Sequence, residues 1–188
     1  MKGSEAKMTG FMEGADKRYI IPVYQRKYDW KLENCRQLYS DLKKIVQDGR
    51  SSHFFGSIVS SVVPQGSKIV YHIIDGQQRL TTVTLLLLAM RNLIAQKRIA
   101  AQSERLDEQI TQRFLISPWA ALDDQIKLRP VKGDREALVK LFGDEADFDL
   151  SSNLTHNYRF FCEMLLKEKI PIDELYAAIG KLEIISIT

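Results

Sequence analysis

The sequence predicts an α+β fold, and three observations carry that prediction. Two β-rich runs, Phe54 to Val63 and Lys68 to Ile74, flank the turn signal Pro64-Gln65-Gly66-Ser67 and read as a hairpin. Immediately after Asp75-Gly76 the pattern becomes strongly helical as far as Arg98, through the apolar run Leu85-Leu86-Leu87-Leu88. Beyond residue 100 several short helical segments follow one another, each bounded by Gly or Pro. A small sheet packed on helices and followed by a mostly helical lobe accounts for all three.

Taken in order, residues 1–17 read as a loose or weakly helical lead-in. Arg18 to Val23 is a short β-type run in which Pro22 marks a strand end or an edge. Trp30, Leu38, Leu42, Ile45 and Val46 fall on one helical face, and Asp48-Gly49 closes that helix. The helix from Gln78 to Arg98 is apolar on nearly every face, which places it between the sheet and other helices. Ser103 to Leu115 reads as a helix ending before Pro118, and Gln125 to Leu128 as a short strand. Helices over Asp134 to Phe142, Asn153 to Glu168 and Asp173 to Ile179 follow, the first and last stopped by Gly143 and Gly180. Leu182 to Thr188 alternates as a strand. A chain ending there would leave unpaired backbone groups, so a further C-terminal region is expected. These signals divide the 188 residues into a lobe over 1–100 and a mostly helical lobe over 101–188, with a boundary between Lys97 and Asp124.

Apolar residues make up 45% of the chain and charged residues 27%, which is enough to build a core and argues against disorder. The net charge of +3 permits a polyanionic partner without demanding one. Cys35 and Cys162 have no nearby partner, and His53, His72 and His156 form no ligand spacing, so no protein-bound metal is expected. No signal-peptide core or membrane-length apolar run is present, and a cytoplasmic protein with no membrane partner is expected.

The most informative segment is Asp75-Gly76-Gln77-Gln78-Arg79, at the handover from strand to buried helix. Gly76 permits a tight turn and close ligand approach. The first helical turn offers unpaired N–H groups and the positive end of the helix dipole, and Arg79 adds a fork of donors suited to phosphate. Gln77 and Gln78 either bind ligand or orient a water, while Asp75 either caps the helix or holds a metal-bound water. A plainer alternative makes Asp75 an N-cap, Gly76 a turn residue and the Gln pair solvated. Neither a P-loop nor a Rossmann fingerprint occurs.

A second segment, Ile21 to Trp30, interleaves Tyr24, Tyr28 and Trp30 with Gln25, Arg26 and Lys27. That mixture suits stacking on a base and pairing with phosphate, or else the aromatics plug a sheet edge. A third, His53 to Val59, carries Gly56 inside a strand pattern, which indicates a bulge or a close backbone approach.

In this order the segments resemble one family. Ile-Pro-x-Tyr-Gln-Arg-x-Tyr-x-Trp from Ile21, Phe-x-Gly-Ser-Ile-Val from Phe54 and Asp-Gly-Gln-Gln-Arg-Leu-Thr-Thr from Asp75 are similar to the GmrSD-type N-terminal domain. Lys127-Leu128-Arg129-Pro130, Gly133-Asp134-Arg135 and Ser152 to Tyr158 extend the likeness, which runs from Tyr19 to Tyr158. The resemblance implies a ParB/sulfiredoxin-like fold. It also implies nucleoside triphosphate binding and hydrolysis in a modification-dependent DNA restriction or phage-defence protein. By that likeness Asp75, Gln77, Gln78 and Arg79 are the catalytic candidates. Tyr24, Gln25, Arg26, Gly76 and Thr81 are the nucleotide-binding ones, and Mg²⁺ would arrive with the nucleotide. The partners implied are a nucleotide, DNA through the full-length protein, and a C-terminal or separate nuclease domain. The chain itself carries no His-Asn-His signature, so nuclease chemistry is not expected of it. Two alternatives remain: a DNA-binding or modified-DNA-sensing module without NTPase activity, and a scaffold that docks a nuclease.

Overall fold

The computed structural model describes residues 1–118, 120–121 and 124–188. Its architecture is α+β, as predicted, built on a six-stranded mixed sheet. The strands are β1 (Gly3–Lys7), β2 (Lys17–Ile20), β3 (His53–Gln65), β4 (Lys68–Asp75), β5 (Leu128–Arg129) and β6 (Leu182–Ile187). Their spatial order is β1-β6-β3-β4-β2-β5. The hairpin β3–β4 is antiparallel, with Val63 opposite Val70 and Gln65 opposite Lys68. It turns through Gly66, whose φ of 63° lies where a side chain is disfavoured. Strand β2 lies parallel to β4 on one side and to β5 on the other.

The lead-in is more ordered than its sequence suggests. Residues 3–7 form β1, antiparallel to β6, and Met8–Met12 form α1, whose Met8, Phe11 and Met12 are buried. Strand β6 is paired on both sides, to β1 and in parallel to β3. The unpaired backbone expected at the last strand is therefore not found.

Helix α2 (Leu32–Asp48) buries Cys35, Leu38, Tyr39, Leu42 and Ile45 along one face and ends at Gly49 in the left-handed region. Helix α3 (Gln77–Ala95) is buried on nearly every side, and Leu80, Val83 and Leu85 to Met90 are inaccessible to solvent. It is the hub on which α4 (Leu106–Ile110) and α6 (Asn153–Lys167) pack. Helix α5 (Lys132–Leu141) packs on α6, and α7 (Ile172–Ile179) on α2.

The single helix expected over Ser103 to Leu115 begins later and changes pitch. Asp173 accepts hydrogen bonds from the backbone N–H groups of Gln102 and Ser103, which holds that stretch out of a helix. Arg105 is left-handed (φ 57°), α4 starts after it, and Thr111–Leu115 continues as a π-helical turn. Residues from both sides of position 100 share one buried cluster running from Met8 to Ile184. Among the described residues no helix is long and apolar enough to cross a membrane.

Candidate functional site

The C-terminal end of β4, the first turn of α3 and the loop between β2 and α2 enclose an open cleft of about 260 Å³. Its lining comprises Gln25, Arg26, Trp30, Asp75, Gly76, Gln77, Gln78 and Arg79. Two of the sequence segments, separated by some fifty residues, therefore face each other across one opening.

Gly76 makes the handover from strand to helix. Its φ is 91°, and a Cβ there would lie 2.7 Å from the Ser57 carbonyl oxygen and 3.0 Å from Ile58 Cγ1. It is the N-cap of α3, and no side chain caps the helix. Asp75 is thus not the N-cap that the plainer alternative made it. It sits exposed at the end of β4, on the wall of the cleft. The first intrahelical backbone bond at this end runs from Leu80 N–H to Gly76 O, so the earlier amides of the turn are directed out of the helix.

Gly56 answers to Arg79. The chain is irregular between Phe54 and Gly56 where β3 pairs with β6, and Gly56 has a φ of 139°. A Cβ on Gly56 would lie 2.4 Å from Arg79 Nε and 2.7 Å from Cζ. The guanidinium therefore lies against bare backbone, with Nη1 donating a long bond of 3.4 Å to Ser57 O. The bulge-or-close-approach reading of Gly56 holds in both respects.

The two glutamines differ. The Gln78 amide is fully engaged: Oε1 accepts from Asp29 N (3.1 Å) and Trp30 N (3.3 Å), and Nε2 donates to Lys27 O (3.3 Å). It is a strut that ties the 27–30 loop to α3. Gln77 Nε2 donates to Arg26 O at 3.3 Å, but its Oε1 is buried without a hydrogen-bond partner among the described residues. Both side chains are 7% exposed, so neither is solvated. An unmatched buried acceptor of this kind costs about 1–3 kcal/mol.

Further contacts fix the loop. Gln25 Nε2 donates to Ile74 O (2.9 Å) and pins the loop to the end of β4. Tyr28 N–H donates to Asp134 Oδ2 (2.7 Å), and burial holds that carboxyl above its ordinary pKa against the opposing effect of this bond. The Tyr28 hydroxyl bonds Thr82 Oγ1 at 2.7 Å, and Asn157 Nδ2 donates to both Tyr28 Oη and Trp30 O at 2.8 Å. Burial pushes the Tyr28 phenol well above its usual range, so it stays neutral. Helices α3, α5 and α6 thus each hold the loop by one or more buried or half-buried polar groups.

The remaining candidates are placed as follows. Arg26 is mostly exposed and lies 3.5 Å from Asp29 Oδ2. Tyr24 is 75% exposed and does not line the cleft, while Trp30, which was not among the site candidates, does. Thr81 is buried one turn into α3, beneath the cleft floor beside Tyr28 and Asp134. Asp134 and Asn157 belong to segments that carried the resemblance, but their task is set by contacts across more than a hundred residues, which local spacing does not encode.

The arrangement offers two guanidinium groups, outward-facing helix amides and one carboxylate around a single opening. That chemistry suits an anionic ligand, with the Trp30 ring as an aromatic wall beside it. No curated protein matches the chain. A family model described as the GmrSD restriction endonuclease, N-terminal domain, matches residues 8–188, and the chain belongs to that family.

Proposed function

We propose that this chain is the NTP-binding and NTP-hydrolysing regulatory N-terminal domain of a modification-dependent DNA restriction or phage-defence protein. The observation that carries the reading is the convergence of Arg26, Arg79 and the uncapped start of α3 on one cleft. The dipole and free amides of a 19-residue helix favour phosphate oxygens, and the two guanidinium groups neutralise them. Trp30 supplies an aromatic wall for the base.

Among the described residues Asp75 is the sole carboxylate on the wall of that cleft. One carboxylate suits a Mg²⁺ that would be carried by the phosphates and water, and Asp75 would help hold it through a hydrogen bond to that water. The ion, when bound, would neutralise charge on the β- and γ-phosphates. Of the two glutamines, Gln77 is the one with an acceptor to spare, and it is assigned to orient the attacking water once its buried amide turns toward the cleft. Gln78 is a positioning residue. Water adds to the γ-phosphorus and passes its proton to a γ-phosphate oxygen, the bond to the β–γ bridging oxygen breaks, and nucleoside diphosphate and inorganic phosphate leave.

The test is turnover and nucleotide affinity in folded variants. Arg79→Ala and Asp75→Ala are expected to lose binding or turnover. Gln77→Ala is expected to lose turnover while retaining most of the affinity. Wild-type values in both Arg79→Ala and Asp75→Ala would sink the proposal. The exposed pair Val23-Tyr24 beside the cleft favours a second reading, a contact with DNA. It requires a DNA affinity that falls steeply with salt and drops in Tyr24→Ala, and no binding at low salt would remove it.

A further inference from the structure

A second basic pocket, of about 150 Å³, lies at the β5 edge of the sheet and shares no lining residue with the cleft. Three guanidinium groups line it: Arg18 from β2, Arg129 from β5 and Arg135 from α5. Among the described residues its carboxylate is Asp124, which stands 3.8 Å from Arg18 Nη1 and 3.4 Å from Arg129 Nη1. Both ion pairs are long, and Asp124 is shared between the two cations. The Arg18 side chain is 12% exposed, and its Nη2 is buried without a hydrogen-bond partner among the described residues.

This is an unusual setting for Arg18 and Arg129. A surface guanidinium ordinarily faces water, and a buried one is ordinarily paired on every N–H. Here strand pairing brings two of them to neighbouring strands, because Ile20 and Arg129 are register partners in β2 and β5. Apolar Leu128 and Leu138 line the same pocket, which keeps the local dielectric low and strengthens attraction to an incoming anion. A tetrahedral oxyanion supplies what Arg18 and Arg129 are short of, several acceptors at one point facing planar forks of donors.

We propose that this pocket binds a phosphate group, with Arg18 and Arg129 as its ligands and Asp124 as an internal competitor that the phosphate displaces. The site is distinct from the cleft at Asp75 to Arg79, and it stands whether or not that cleft binds nucleotide. The phosphate belongs either to a nucleic-acid backbone or to a free nucleotide, and the two sources make different demands on the same pocket. A backbone phosphate would seat this edge of the sheet on DNA, where each neutralised phosphate contributes a salt-dependent increment.

The experiment is an NMR titration of the whole chain with inorganic phosphate, read at the arginine Nε–H signals, with two substitutions of opposite expected sign. Arg129 is about half exposed, so Arg129→Gln leaves the fold intact. It is expected to weaken phosphate binding on the order of tenfold. Asp124→Asn removes the competing charge and is expected to strengthen binding, a gain that a purely structural role for the pocket does not produce. Phosphate shifts at Arg18 and Arg129, weakened by the first substitution and strengthened by the second, support the site. Any other pattern overturns it, including shifts confined to Arg26 and Arg79. Repeating the titration with a short DNA duplex and with a mononucleotide then identifies the source, as the ligand whose affinity follows the same two signs.

Discussion

Replacing Gly56 and Gly76 by alanine, one at a time, separates what positions Arg79 from what holds the turn. At Gly56 the added methyl would lie 2.4 Å from Arg79 Nε and 2.7 Å from Cζ. That is about 1 Å inside an ordinary contact. The obstacle is the far end of a flexible side chain, so the guanidinium gives way, and the stability cost is mainly that of alanine at a φ of 139°, about 1–2 kcal/mol. At Gly76 the methyl meets backbone instead: the Ser57 carbonyl oxygen at 2.7 Å and Ile58 Cα at 3.1 Å, both in β3. A strand paired on both sides cannot yield so easily, and a cost of about 2–4 kcal/mol is expected. Urea unfolding monitored by circular dichroism reads the two costs, and nucleotide binding reads the displaced Arg79. Gly56→Ala should weaken binding by more than its small stability loss would suggest, because an anchor moved by ~1 Å loses its aligned hydrogen bonds. Equal destabilisation by the two substitutions, or Gly56→Ala with wild-type affinity, would refute the reasoning.

Three further outcomes follow from the polar groups around the loop. Asn157→Ala removes both bonds to Tyr28 and Trp30 in a buried setting and should cost about 1–3 kcal/mol, with faster hydrogen exchange at residues 27–30; unchanged exchange would show that the loop is held elsewhere. Gln78→Ala frees the N–H groups of Asp29 and Trp30 and should lower nucleotide affinity without any direct contact, so a loss of turnover at full affinity would contradict the strut role. Lys127 is buried, with Nζ donating to Arg113 O at 2.7 Å, and burial, aided by the charge of Lys17 and opposed by that of Glu13, lowers its pKa to about 8. Its folded pKa lies below the unfolded value, so the unfolded chain binds more protons between the two. Lys127 should therefore contribute stability that rises from pH 8 toward pH 9, where Cys35, Cys162 and the buried tyrosines, all held protonated by burial, begin to oppose it. Lys127→Met should flatten that rise, and the same slope in both proteins would locate the titration in another group.

Much of this site is legible in the sequence, and the reason is local. Gly76 and Gly56 announce positions where a side chain does not fit, and the leucine run fixes α3 as a buried helix starting just after Gly76. From those two facts the helix start beside the turn and the nearby Arg79 follow, whereas the missing side-chain cap does not, because Asp75 reads equally as an N-cap. What is not legible depends on distant partners. Gln77 and Gln78 are adjacent and chemically identical, yet one is a strut and the other holds an unmatched acceptor, because only Gln78 Oε1 meets the Asp29 and Trp30 amides. Tyr24 and Trp30 read alike in an aromatic-basic segment, but Asn157 draws the Trp30 backbone inward while nothing comparable holds Tyr24. Strand β1 has no apolar alternation and is mostly exposed, so its pairing is imposed by β6, nearly 180 residues away. The later start of α4 likewise depends on Asp173, a carboxylate seventy residues downstream that claims the amides of Gln102 and Ser103.

The most direct measurement of the central claim is equilibrium binding of ATP, GTP, CTP and UTP to this chain with Mg²⁺, beside Arg79→Ala confirmed as folded. The account predicts saturable binding of at least one nucleotide, reduced on the order of tenfold or more in Arg79→Ala, as expected for loss of a charge-assisted contact to phosphate. Binding of equal strength in the folded Arg79→Ala protein would contradict it, as would no binding of any of the four.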